Sequence, residues 1–259
     1  MQPKISIITV CYNAVQIIEE TILSVINQTY TNIEYIIIDG GSNDGTVDII
    51  NKYNDKISYW VSEPDKGIYD AMNKGIEKAT GEWVNFMNAG DSFCSLSVIS
   101  ELNREGAFDS CDLVYGDVIG KYKIGNRLLK AGNLKNITKT MQFSHQSTFA
   151  KCSLMKENLY VLTYRLAADY NFILSLYLNG RKFKYCPIPI AAITAEEGDT
   201  FTNFAKSKKE VCRIHLQNGY SYVRSLFYCY YYIVRFYVGI YVKRNIPDSF
   251  LRRVLYIKG

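Results

Sequence analysis

Apolar residues in the first ninety positions come in short blocks separated by polar, turn-rich stretches. Lys4–Val10 is a β-branched run that predicts a buried strand. Ile33–Asp39 is a second, nearly continuous apolar run, the pattern of a parallel strand covered on both faces. Ile57–Ser62 and Glu82–Met87 read as a third and a fourth strand. Between these blocks the apolar spacing becomes helical. Ala14–Gln28 sets Ile18, Ile22, Val25 and Ile26 on one face, Thr46–Tyr53 opens on a candidate N-cap at Thr46, and Ile68–Ala79 follows. Strand and helix alternating at this spacing predict right-handed βαβ units and a parallel sheet.

After residue 91 the pattern loosens. Leu96–Arg104 reads as a helix. Asp112–Val118 and Lys121–Lys130 read as strands joined by a turn at Gly120, and Ser147–Lys151 as another strand. Ala167–Leu178 predicts a helix ended by Asn179-Gly180. Phe183–Ile190 carries Pro187 and Pro189 and is expected to be an edge strand at best. Glu196–Asn203 reads as a polar loop. With no internal repeat and no long linker, the expected organisation is one α/β body over 1–205, in halves 1–95 and 96–205, followed by a tail over 206–259.

That tail changes the picture. Residues 206–259 carry eleven Lys or Arg against two acids, a net +9 that leaves −4 on residues 1–205. At 100° per residue, Val223, Leu226, Phe227, Tyr230, Ile233, Val234, Tyr237, Val238 and Tyr241 form one stripe, with Arg224, Tyr231, Arg235 and Lys243 off it. The longest uncharged run, Ser225–Val234, falls short of the roughly 18–20 residues that span a bilayer. A basic amphipathic helix rich in Tyr predicts contact with an anionic membrane surface, helped by the flanks Lys206–Arg213 and Arg252–Arg253. The competing reading is a helix packed on the body.

Composition excludes more than it selects. At 259 residues, 48% hydrophobic and 21% charged, the chain is neither collagen-like, low-complexity nor wholly disordered. Seven scattered Cys without a CxxC pair argue against a disulfide framework and a Cys-based zinc site, and favour a reducing, cytosolic setting. The start, Met1-Gln2-Pro3-Lys4, lacks the long apolar core of a signal peptide. Two His exclude a three-His metal site.

In open parallel sheets ligands bind beyond the carboxyl ends of the strands. Those ends carry Cys11-Tyr12-Asn13, Asp39-Gly-Gly-Ser-Asn-Asp-Gly-Thr46, Glu63-Pro-Asp65-Lys66-Gly67 and Asn88-Ala-Gly-Asp91. Neither the dinucleotide fingerprint nor the Walker pattern is present. Three acidic strand ends converging on one edge predict a cation or a hydroxyl-rich ligand, and Mg²⁺ or Mn²⁺ with a diphosphate would suit them.

As an ordered set, these four motifs resemble the inverting family 2 glycosyltransferases, most closely the bacterial branch that builds O-antigens, capsules and exopolysaccharides. The resemblance is strong over residues 3–95 and weaker over 140–180. It implies a GT-A fold, a nucleotide-sugar donor, mostly UDP-linked, and a divalent metal, Mn²⁺ or Mg²⁺. Carried over by position, Tyr12 lies beside the base and Asp39 contacts it. Asp65 and Lys66 line the donor, with Thr9, Asn13 and Glu63 in the same donor-binding set. Asn88-Ala-Gly-Asp91 stands where the family has its DxD-type motif, with Asn88 in place of the first Asp and Asp91 as the metal and phosphate residue. Asp169, in Arg165-Leu-Ala-Ala-Asp-Tyr-Asn171, matches the family's late Asp and is the expected base. Ser144-His145-Gln146 resembles a segment near the acceptor, which places His145 and Gln146 in acceptor binding. Tyr69, Ala71, Met72 and Ile76 are expected to serve packing alone, Asp70 the helix start, and His215 the core.

The expected activity is therefore inverting transfer of a sugar to a glycan acceptor, of the kind carried on a polyprenyl diphosphate, by a peripheral protein on the inner face of the bacterial plasma membrane. A nucleotidyltransferase that forms sugar nucleotides would carry a Gly-rich, Arg- or Lys-bearing loop where Cys11-Tyr12-Asn13 stand. A basic nucleic-acid-binding protein would use the tail's Lys, Arg and Tyr, but the acidic body and the four strand-end motifs disfavour it.

Overall fold

A computed structural model describes residues 2–194 and 199–246 of the chain. Its first half is the predicted alternation: β1 (Ile5–Cys11), α1 (Ile18–Ile26), β2 (Ile33–Asp39), α2 (Thr46–Lys52), β3 (Tyr59–Ser62), α3 (Ile68–Lys78) and β4 (Trp83–Phe86). Then come β5 (Ser92–Phe93), α4 (Val98–Arg104), β6 (Leu113–Tyr122), β7 (Gly125–Leu129), β8 (Thr148–Lys151), α5 (Cys152–Glu157), α6 (Ala168–Leu178) and β9 (Phe183–Thr194). Three helices follow, α7 (Asp199–Thr202), α8 (Phe204–Gln217) and α9 (Tyr222–Asn245).

The strands form one sheet in the order β3-β2-β1-β4-β8-β6-β9-β5, with β7 paired to β6. Pairing is parallel from β3 to β4; β8 then enters antiparallel between β4 and β6, and β9 runs parallel to β6. Alternate residues of each inner strand go to opposite faces. Ile8, Val10, Ile36 and Ile38 pack with α3, α5, α6 and α8, whereas Ile5, Ile7 and Ile37 pack with α1, α2 and α4. Both faces are covered, which is why these strands read as unbroken apolar runs.

The register levels the strand ends. Cys11 pairs with Asp39 and Asp39 with Ser62, so the segments after β1, β2 and β3 leave the sheet side by side. Because β8 is antiparallel to β4, the residues that precede it, Ser144–Ser147, arrive at that same edge. Asn85 Nδ2 donates to the carbonyl oxygens of Gln146 and Thr148, both at 2.9 Å, and pins them there.

Three local expectations are refined. Phe183–Ile190 is only the first part of a longer strand: β9 runs on to Thr194 and lies between β6 and β5, but β5 pairs only with Ala191 and Ala192, so the 183–190 stretch pairs with β6 alone. Gly116 pairs with Cys186 and Asp117 with Pro189, so Pro187 and Ile188 bulge out of the ladder and the prolines leave no unmet N–H within it. Gly116 is needed opposite this bulge, since a Cβ there would meet Ile188 O at 2.8 Å and Ile190 Cδ1 at 2.7 Å. Gly120 is not a turn; β6 runs through it and the chain reverses at 123–124. Thr46 does not cap α2 with its side chain. Asp44 Oδ1 accepts from Thr46 N at 3.0 Å, and Thr46 Oγ1 accepts from Ala14 N at 2.8 Å, tying the loops after β1 and β2 together.

α8 is part of the body: Ile214 and His215 are buried, and Glu210 accepts hydrogen bonds from the backbone N–H groups of Arg165 and Leu166. His215 is a core residue, 2.7 Å from Tyr170 Oη through Nε2, and burial pushes its ring down to about 4. One face of α9 packs on α8 through Ser225 and Cys229, and Phe236 stacks on Phe204 with centroids 3.9 Å apart. The packing reading of this helix therefore holds for one of its faces. Of the predicted stripe, Leu226 and Ile233 are half-buried, while Val223, Phe227, Tyr230, Val234, Tyr237, Val238 and Tyr241 face outward. Among the described residues no helix is long and apolar enough to cross a membrane. Residues 196–198 of the expected polar loop and the Arg252–Arg253 flank lie outside the described residues.

Candidate active site

The rim beyond β1–β4 is built by short-range hydrogen bonds. Asp39, at the end of β2, is fully buried. Its Oδ2 accepts from Gly41 N at 3.1 Å, Ser42 N at 2.8 Å and Ser62 Oγ at 2.6 Å, and Ser42 Oγ donates to its Oδ1. Burial alone would raise this carboxyl, but the Ser42 and Ser62 hydroxyls and the Ser42 N–H overcome it and hold it below the usual range. Asp39 thus shapes the turn at Gly40–Ser42, and a ligand N–H would reach it only by replacing one of these donors.

Asp65 stands over that turn. A Cβ on Gly40 would meet Asp65 Oδ2 at 2.6 Å and Tyr12 Cδ2 at 3.4 Å, so glycine here is what lets the carboxylate and the ring close on the backbone. Asp65 Oδ1 accepts from Gly67 N at 2.7 Å. Tyr12 is 64% exposed, an aromatic face open to a planar ligand. Asn13, at φ +47°, accepts from Asn43 N through Oδ1 and donates from its own N–H to Ser42 Oγ, which locks the first two loops together. Lys66 is exposed beside this group, and its N–H donates to Asp70 Oδ2 at 3.0 Å, the helix-start role expected of Asp70. Glu63 is exposed and ion-paired to Lys74 at 2.7 Å.

Thr9 lies below the other residues of the expected donor set. It is fully buried, donates to Met87 O at 2.8 Å and lies 3.0 Å from Tyr35 Oη, so it ties β1 to the segment after β4 beneath the rim.

Around Asn88 and Asp91 the structure joins residues that the sequence left apart. Gln146 Nε2 donates to Asp91 Oδ2 at 2.8 Å. Asn88 Nδ2 lies 3.2 Å from His145 Nε2; with the amide as donor, the ring proton sits on Nδ1, which is 3.4 Å from Asp169 Oδ2. Tyr69 Oη donates to Asp169 Oδ1 at 2.9 Å. Asn88, His145, Asp169 and Tyr69 thus form one polar chain between the end of β4 and the first turn of α6, two hydrogen bonds joined by the His145–Asp169 contact. His145 and Gln146, expected at the acceptor, bridge the donor motif to the expected base.

The two acids of this site are tuned in opposite directions. Burial would raise Asp169, but His145 and Tyr69 outweigh it, so Asp169 sits below the usual carboxylate range and is ionised near neutrality. Asp91 is raised by burial, which the Gln146 hydrogen bond and the neighbouring His145 ring only partly offset.

Sequence reasoning missed Tyr69, which was expected to serve packing alone. Its position in the first turn of α3 gave no sign that the hydroxyl would reach across to α6. Asn73 is structural: Nδ2 donates to Tyr160 O at 2.9 Å and Oδ1 accepts from Tyr160 N at 2.8 Å.

For a divalent cation, the donor set is oxygen-rich but sparse. Among the described residues no three His, Cys, Asp or Glu side chains group closely enough to cage an ion. The Asp91 carboxylate is present, and Asn88 Oδ1 is buried without a hydrogen-bond partner. One carboxylate and an amide oxygen suit Mg²⁺ or Mn²⁺ that takes its remaining ligands from substrate phosphates and water.

Comparisons with known proteins bear on the family and the fold. The family model described as Glycosyl transferase family 2 matches residues 6–157. A PGL/p-HBAD biosynthesis glycosyltransferase of Mycobacterium tuberculosis is 32% identical over 182 residues, covering 68% of this chain and 71% of the relative. An uncharacterized glycosyltransferase of the same organism is 36% identical over 185 residues, covering 66% and 68%. S. aureus TarS bound to UDP-GlcNAc is similar in fold, with TM-score 0.63 and 18% identity over 86% of this chain and 69% of that one. The mannosyltransferase PcManGT from Pyrobaculum calidifontis, bound to GDP-Man and Mn²⁺, has TM-score 0.65 and 16% identity over 85% of this chain and 64% of its own. A longer TarS chain is spanned over only 39% of its length.

Proposed function

The chain belongs to glycosyl transferase family 2, and from that premise we propose that it moves a sugar, with inversion, from a nucleotide-sugar to a hydroxyl of a lipid-linked glycan. The observation that carries this reading is the chain from Asn88 through His145 to Asp169, which sets an ionised carboxylate beside the donor motif. In the reaction the acceptor hydroxyl oxygen attacks the anomeric carbon, its proton passes to Asp169, and the bond from that carbon to the diphosphate oxygen breaks. A nucleoside diphosphate leaves with the bonding pair. One base is enough because the leaving group needs no protonation, unlike the alcohol released in glycoside hydrolysis.

Each part of the rim has a task in this scheme. Tyr12 stacks on the base, and Asp65 with the Asp39-shaped turn receives the base and ribose. Lys66 lies beside the phosphates. Asp91 and Asn88 would hold the metal, which supplies neutralisation of the diphosphate charge. His145 and Tyr69 orient Asp169 and keep it ionised, and Gln146 fixes Asp91. TarS and PcManGT carry UDP-GlcNAc and GDP-Man in their complexes, which supports a nucleotide-sugar here. UDP is the proposed nucleotide.

The lipid linkage rests on α9. Seven large apolar residues of the stripe face outward on a helix that also exposes Arg224 and Arg235, a surface suited to anionic headgroups. The protein is therefore proposed to work peripherally on the inner face of the plasma membrane, in the synthesis of surface polysaccharide.

The test is transfer itself. The full-length protein is incubated with Mn²⁺, a panel of UDP- and GDP-sugars, and a short polyprenyl-diphosphate sugar. Release of one nucleoside diphosphate with gain of one sugar mass, and a product whose anomeric configuration is opposite to the donor's, is the expected result. Retention of configuration would remove the single-base mechanism, and no transfer from any donor would remove the proposal.

A further inference from the structure

α7, α8 and α9 together line a feature that the donor site does not use. An apolar cavity of about 310 Å³ is lined by Phe201, Phe204, Tyr232, Phe236, Gly239 and Ile240, with Arg235 on its wall. At a share of ~30 Å³ per water-sized group, it has room for about ten non-hydrogen atoms. Lys208 stands against two of the lining rings. Its ammonium is 4.9 Å from the centroid of Phe204 and 5.4 Å from that of Tyr232, and it donates to Thr140 Oγ1 at 2.7 Å.

The cations of this region are paired with rings and not with acids. Lys139 lies 5.8 Å from the Tyr228 centroid, and Arg224 lies 5.8 Å from both Tyr220 and Tyr228. Among the described residues none of Lys139, Lys208, Arg224 and Arg235 makes a salt bridge. A half-buried ammonium without a carboxylate is costly to keep charged. Burial pulls Lys208 down to about 8, and the Asp169 carboxylate only partly restores it. Asp169 is thus close enough for its charge to be felt at Lys208, which relates this cavity to the expected base.

An occupant must therefore be apolar over a length of about ten atoms, and must bring the anion that Lys208 lacks. We propose that the cavity between α7, α8 and α9 holds the first isoprenoid units of a lipid acceptor, with its phosphate or diphosphate on Lys208 and Lys139. This deepens the proposed function and rests on it: the apolar chain leaves along the outward stripe of α9, and the glycan on the phosphate points to Asp169.

Binding of a soluble mimic tests the site. The full chain is first saturated with UDP and Mn²⁺ so that the donor rim is filled. Farnesyl diphosphate, farnesol and inorganic diphosphate are then titrated by calorimetry below the micellar range. Wild type should bind farnesyl diphosphate at least ~10-fold tighter than either half alone. Lys208→Met should weaken farnesyl diphosphate by ~10-fold or more, the loss of a charge-assisted contact. Gly239→Leu is the second variant: a Cβ at Gly239 meets nothing within 4 Å, and Leu is the better helix former, so the fold should hold while the side chain fills the cavity. It should weaken farnesyl diphosphate ~10-fold and leave inorganic diphosphate unchanged. Equal binding by wild type and both variants would overturn the site, and inorganic diphosphate binding as tightly as its farnesyl ester would overturn the lipid occupant. If UDP itself fails to bind, the glycosyl-transfer reading fails; if UDP binds and the three probes are not distinguished, only this inference does.

Discussion

Replacing Asp169 by Asn changes the proposed base with little change of shape, and its cost follows from the contacts. Tyr69 Oη can still donate to Oδ1. On the other side the new amide N–H₂ would face the proton on His145 Nδ1, now 3.4 Å away. The ring resolves this by moving its proton to Nε2, and Asn88 by turning its unpartnered Oδ1 towards it. The network re-forms, so the folding penalty should stay within about 1 kcal/mol, a few degrees of melting temperature for a chain of this size. Catalysis has no such escape. Loss of a positioned general base removes ~10²–10⁴ of rate, about 2.7–5.5 kcal/mol of barrier. The assay follows nucleoside diphosphate release at saturating donor and measures donor Kd separately. The expected outcome is kcat down by at least ~100-fold, with donor Kd measured without added metal, and so free of the turn at Asn88, within about twofold. A variant that keeps a third or more of wild-type kcat, or that loses donor affinity as steeply as rate, would refute the assignment.

Two further outcomes follow from the same geometry. Gly40→Ala should drive Asp65 off its place beside Tyr12, where a Cβ would lie 2.6 Å from Asp65 Oδ2; donor KM should rise ~10-fold or more while the melting temperature moves little, and an unchanged KM would dissociate Asp65 from the donor. Glu34 is buried where Lys4, Ser6 and Thr80 converge on it: burial raises its carboxyl, and those donors take it down to about 2. The stability it contributes is complete above the unfolded value of 4.5 and is lost as pH falls through about 2. Glu34→Gln should therefore cost about 2 kcal/mol at neutral pH, after allowance for screening at the sheet edge, and the gap to wild type should close in denaturant titrations towards pH 2.

The parallel half of the fold was legible because burial on both faces leaves a strand no polar alternation. Ile33–Asp39 reads as what it is. β9 was legible in part: Pro187 and Pro189 mark a stretch that pairs on one side only, while the bulge opposite Gly116 and Asp117, which carries the strand on to Ala191 and Ala192 beside β5, has no local signal. In the site, Tyr12, Asp65 and Asp91 follow strand ends, and any reader of βαβ units looks there. Tyr69 and Lys208 do not. Their roles depend on which way a helix face turns towards an element a hundred residues away in one case and sixty-eight in the other, and apolar spacing carries no such information. The position of His145 between Asn88 and Asp169 was not legible, because those neighbours meet only in three dimensions.

The proposal stands on the rim between Tyr12 and Asp91 gripping a metal-bound nucleoside diphosphate. Thermal unfolding of the full-length protein with UDP, GDP, CDP and ADP, each with and without Mn²⁺, tests this directly. At a hundred times its Kd a ligand stabilises by about 2.7 kcal/mol, worth roughly 5–10 °C here. One nucleotide should give that shift with Mn²⁺ and much less without it, and Asp91→Asn should abolish the metal-dependent part. No shift with any nucleotide, or the same shift in Asp91→Asn as in wild type, would contradict it.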